Sequence, residues 1–153
     1  MFIEVIMAFG VGFSFGLLFN VKGKYLYIAG IGGALGWFIY KLCLSHGLGD
    51  SSSLFLSAIV FSIYCEICAR VFMTPSTILS VCCLIPLVPG YGVYNTLYNC
   101  LKGDYIKALE VGANTLSSAC ALALGVILIS TLFRNFNLSN TFKSKNQREK
   151  KPS

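Results

Sequence analysis

Charge is what this 153-residue chain has least of: Asp, Glu, Lys and Arg make up 12% of it and hydrophobic residues 56%, whereas ordinary soluble domains carry about 25% charged residues. The length would suit one soluble domain, but such a domain needs a polar surface that this composition does not supply. With a mean hydropathy of +0.72, the lipid bilayer is the expected solvent. Catalytic signatures are missing as well. The chain has no Walker glycine-lysine loop, no H-E-x-x-H pair and no nucleophile elbow. It is therefore not expected to be an enzyme, to hydrolyse ATP or to need a cofactor.

A single histidine leaves the seven cysteines without the partners of a zinc site, and no metal is expected. Their odd number and their place inside apolar runs argue against the disulfide framework of a small secreted domain. Cys65-x-x-Cys68 has redox spacing and Cys82-Cys83 is vicinal, yet neither sits in the strand-to-helix setting of a redox motif. They read as buried free thiols that pack as small apolar residues.

Positive charge gathers at one end. Residues 1–133 hold six Lys/Arg and five Asp/Glu, and residues 134–153 hold six and one. Basic chains often bind nucleic acid, but this excess is a short tail beside an apolar span and not a folded face. Anionic lipid headgroups suit it better, and no nucleic-acid partner is expected. The polarity of the tail predicts a segment without fixed structure.

Uncharged stretches cover 5–21, 25–40, 51–65, 71–101 and 111–133, and about 20 apolar residues cross the hydrocarbon core. The expectation is an all-α membrane protein of five spans, at about 3–21, 25–45, 52–72, 75–100 and 109–133, followed by a basic tail at 134–153. The first stretch is kept in the mature chain because Glu4 stands where a signal peptide has basic residues, and no cleavage pattern follows before Asn20. The fourth is too long for one straight crossing: 31 uncharged residues extend about 46 Å against a core of about 30 Å. Pro86 and Pro89, with Gly90 and Gly92, are the natural breakers. Lys/Arg placement favours the N-terminus outside and the C-terminus in the cytoplasm. Lys22, Lys24, Arg70 and the tail then lie inside, and Lys41, Lys102 and Lys107 outside.

Gly12-x-x-x-Gly16, Ala29-x-x-x-Gly33 and Gly32-x-x-x-Gly36 mark faces where helices approach closely. Asn114, Ser118, Ala121 and Gly125 add a small and polar stripe at helical spacing. Irregular backbone at membrane depth is tolerated only inside protein or beside a water-filled cavity, which makes 85–94 the best site candidate. Pro86, Pro89, Gly90 and Tyr94 are its substrate or gate residues, with Asn95 and Asn114 as polar contacts. Freed amides and carbonyls there suit a carboxylate and an ammonium group, and the alternative is a proline kink used only for packing. On this reading Gly90→Leu should abolish activity. Glu66 and Arg70 stand four apart in the favourable order for pairing and serve as a coupling or structural pair. His46 and Asp50 share that spacing, but Gly47 and Gly49 place them in a solvated loop.

Taken in order, several motifs resemble the smaller membrane half of the threonine/serine exporter family of the bacterial inner membrane. They are the glycine-rich first span ending in Phe19-Asn20-Val21, the Gly30–Gly36 run and Arg70 shortly before Pro75. Pro86-Leu87-Val88-Pro89-Gly90 with Tyr94 and the Lys102-Gly103-Asp104 turn complete the series. The resemblance implies a gradient-driven half-transporter that works with a larger membrane chain, in an oligomer of like or unlike subunits. Threonine and serine, or a small carboxylate such as succinate, are the implied cargo. The alternative is a non-transporting subunit that stabilises or regulates a partner transporter.

Overall fold

Apolar residues surround the long segments on all sides, so breakers and turns decide where each helix stops. A computed structural model describes residues 2–21, 23–72 and 75–149. Among them the chain is helical: α1 (Phe2–Leu18), α2 (Lys24–Ser45), α3 (Asp50–Phe72), α4 (Ser76–Leu84), a 3-10 turn (Ile85–Leu87), α5 (Gly90–Leu101) and α6 (Tyr105–Glu149). Gly103, at φ 82°, makes the tight turn from α5 to α6 that residues with a side chain resist. Lys22 and residues 150–153, counted above in the charge balance, lie outside the described residues.

Three helices are long and apolar enough to cross a bilayer, over Tyr25–Ser45, Asp50–Phe72 and Tyr105–Asn135. Ser76–Leu87 and Gly90–Leu101 make a fourth span if taken as one element bent by 50°. Hydropathy predicted five. The difference is α1, whose 17 residues reach only about 26 Å. Asn20 ends it at φ 56°, a left-handed conformation that a short polar side chain tolerates. The other difference is the tail, where the helix runs on to Glu149. Residues 126–149 contain neither glycine nor proline, so nothing in the sequence stops a helix already nucleated in the membrane span.

The glycine pattern sets the packing. A methyl group on Gly12 would lie 3.1 Å from the Ala29 carbonyl oxygen, and one on Gly125 would lie 2.6 Å from Ala58 Cβ. α1 is thereby pressed against α2, and α6 against α3. Ala29, Leu54, Ala58, Phe61, Cys65, Cys83, Leu87 and Leu122 form the buried core. Ser57 crosses from α3 to α2, donating to the Gly36 carbonyl at 2.6 Å in a buried contact.

The free thiols divide. Cys65, Cys82 and Cys83 are buried, Cys43 and Cys68 are half-buried, and Cys100 and Cys120 are exposed, so burial fits only part of the set.

α3 and α6 run parallel. Ser118 bonds Asp50 at the start of α3, and the Phe133 carbonyl accepts from Arg70 near its end. Ser118 stands thirteen residues into α6, so about 20 Å of that helix continues past the level where α3 starts. α5 folds back along this extension, with Gly92 against Thr115 and Gly112 against Thr96. The hairpin so formed leaves Leu101, Tyr105, Ile106 and Leu109 exposed.

Candidate functional site: two cavities beside a broken helix

The break between α4 and α5 follows from two prolines that donate no amide hydrogen. The helix tightens into the 3-10 turn, where the Val88 N–H reaches the Ile85 carbonyl at 3.3 Å and the Gly90 N–H reaches that of Val88 at 2.7 Å. Leu87 turns into the core, while half of the Val88 surface stays open.

A cavity of about 760 Å³ opens beside this turn. Trp37 and Tyr40 of α2, Asp50, Ser51 and Leu54 of α3, the 86–92 segment, and Asn114, Thr115 and Ser118 of α6 line it. Its centre of polarity is Asp50, whose carboxylate accepts from the Tyr40 hydroxyl and from Ser118 Oγ at 2.9 Å. Ser51 lies 3.2 Å from Ser117 and 3.3 Å from Ser118. Two helices thus hold the carboxylate on a third, with its remaining lone pairs free for a donor. Next to it, Trp37 packs at a tilt of 55° against Tyr40 with ring centres 5.4 Å apart. The Trp37 indole donates to Glu4 at 3.2 Å, and Lys41 pairs with the same carboxylate at 2.9 Å. This ties α1 to the rim of the cavity.

Toward the other end of α3 lies a second cavity of about 530 Å³, between α3, α4 and α6. Glu66, Arg70, Ser76, Thr77, Ser80, Ser130 and Arg134 supply its polar lining. The spacing of Glu66 and Arg70 suggested an ion pair, but Arg70 Nη2 instead donates to the Phe133 carbonyl at 2.8 Å. Its guanidinium sits 4.9 Å from the Phe133 ring centre. Among the described residues, Glu4–Lys41 is the ion pair that forms. The broken helix is a wall of both cavities: Leu84 lines the second and Pro86 the first.

The family described as "Threonine/Serine exporter, ThrE" matches residues 4–132. The chain belongs to that family. It is a multi-pass membrane protein, and the match takes in the first cavity and all of the second except Phe133 and Arg134. A curated relative, named "Threonine/serine exporter" from Corynebacterium glutamicum, is 29% identical over 101 residues. Those residues are 66% of this chain and 20% of the relative, so the chain spans about a fifth of that protein's length. No solved structure matches.

Of the residues singled out in this exporter-family sequence, Pro86, Pro89, Gly90 and Asn114 line the first cavity. Tyr94 does not; it is exposed and stacks on Tyr98 with ring centres 6.0 Å apart. Asn95 is also elsewhere, accepting through its backbone carbonyl from Asn99 at 2.8 Å. Glu66 and Arg70 belong to the second cavity. Asp50, Tyr40, Trp37 and Thr115 were missed. The glycines at 47 and 49 suggested a loop, but Asp50 is the first residue of α3. An acidic residue followed by three serines is a helix-start signature, and that signal would have found it.

Proposed function

We propose that the chain is one half of a gradient-driven exporter in the bacterial plasma membrane, with its N-terminus outside and its basic end in the cytoplasm. Its cargo is a small polar metabolite, threonine or serine, or a related carboxylate such as succinate. The reading is carried by one observation: two cavities toward opposite ends of α3 share the broken helix as a wall. A change of bend at Pro86–Gly90 would widen one as it narrows the other, the geometry alternating access requires. The Lys/Arg excess at the Arg70 and Arg134 end supports the orientation, which turns the Asp50 vestibule outward.

Coverage of about a fifth of a full-length exporter favours a larger second subunit that completes the transporter. The exposed apolar hairpin of α5 and α6 favours a second reading, in which this chain only stabilises that partner. Counterflow of labelled threonine, serine or succinate in liposomes separates the two. Counterflow that needs both chains is expected, and Asp50→Asn should lower it about tenfold, the effect of losing charge-assisted hydrogen bonds. Full activity from the partner alone would establish the supporting role. No counterflow of any of these solutes by the complete pair would overturn the exporter reading.

A further inference from the structure

The two cavities differ in charge. Among the described residues, the vestibule lining holds one carboxylate, Asp50, and no cation. The second cavity holds Glu66 together with Arg70 and Arg134, and four hydroxyls beside them. We propose that this second cavity is the cytoplasmic loading site for an α-amino acid zwitterion, its carboxylate held by Arg70 and Arg134 and its ammonium group by Glu66. The inference rests on the exporter reading for the direction of traffic.

Three features support it. The Arg70 guanidinium is fixed by the Phe133 carbonyl and by the face of the Phe133 ring. One N–H is used there, and the rest of its planar fork is left to meet a carboxylate in two-point fashion. Glu66 and Arg70 share a helix face without closing on each other, so an amino acid can bridge them through its own adjacent charges. At about 530 Å³ the cavity admits such a molecule, and Ser76, Thr77, Ser80 and Ser130 offer partners for a hydroxylated side chain. A dicarboxylate fits worse, because its second negative charge meets Glu66 where the zwitterion has an ammonium group. The difference between the cavities also gives direction. A zwitterion that moves outward leaves both arginines and meets only Asp50, so its carboxylate loses its partners and release is favoured.

The test is substrate protection in inverted vesicles of the native membrane. Ser130→Cys, and separately Thr77→Cys, is treated with a membrane-impermeant methanethiosulfonate. Modification at that residue is read by peptide mass spectrometry, which keeps the native thiols apart. L-threonine should slow modification severalfold, while threoninol, N-acetylthreonine and succinate should not. Glu66→Gln should let succinate protect, and Arg70→Gln should abolish protection by threonine. Equal protection by succinate and threonine before the Glu66 change would overturn the assignment. So would absence of protection in vesicles that still exchange labelled threonine, in which case the exporter reading stands. Vesicles showing neither protection nor exchange would overturn both.

Discussion

Gly90 and Gly92 look alike in the sequence and differ in the fold. Around Gly90 nothing lies within 4 Å of an added methyl group, whereas one on Gly92 would sit 2.9 Å from Thr115 Cγ2 and 3.1 Å from its Cβ. The close approach is therefore at Gly92, where α5 touches α6, and not at Gly90. Gly92→Ala is expected to push the hairpin apart, to lower stability by about 1–3 kcal/mol, as overpacking does, and to reduce counterflow. Gly90→Ala should leave stability nearly unchanged. Thermal denaturation in detergent and counterflow by the two variants check this. Residue identity alone could not separate them, since the clash comes from a helix more than twenty positions away. The partners of Asp50 were illegible for the same reason: Tyr40 and Ser118 come from helices on either side.

At the scale of elements, the break was legible because length and composition conflict there: an uncharged run too long for the bilayer contains two prolines. Replacing both Pro86 and Pro89 with alanine restores two amide donors and lets α4 and α5 join. The 26 residues of Ser76–Leu101 would then form a rod of about 39 Å, and the wall shared by the two cavities would straighten. Loss of counterflow is expected, together with loss of labelling at a cysteine placed at position 90 by an impermeant maleimide added outside. Retained labelling and transport would assign the prolines to packing alone. The short first helix was not legible, because hydropathy continues through Phe19 and Val21 while the backbone has already turned at Asn20. The helical course of 134–149 was hidden by a polar composition that also suits a free tail.

For the whole molecule, the overhanging hairpin and the basic far end define two sides. In the proposed orientation Cys100, exposed near the hairpin tip, should react with impermeant maleimide in intact cells. A cysteine at Asn135 should react only in inverted vesicles, and the reverse pattern would turn the protein over in the membrane. Cys120, exposed but midway along the apolar part of α6, should stay unlabelled from either side, because an impermeant, charged reagent does not enter the hydrocarbon core.

The partition between the cavities is thin. Ser118 lines one and Val126 the other, eight residues or about 12 Å apart along α6, where the hydrocarbon core measures about 30 Å. With water standing in both chambers, the membrane voltage drops mainly across this septum, in a field about two and a half times steeper than in the surrounding lipid. A neutral zwitterion passes through it without electrical work. Each unit of net charge on a solute would gain or lose about 2.3 kcal/mol per 100 mV within two turns of helix.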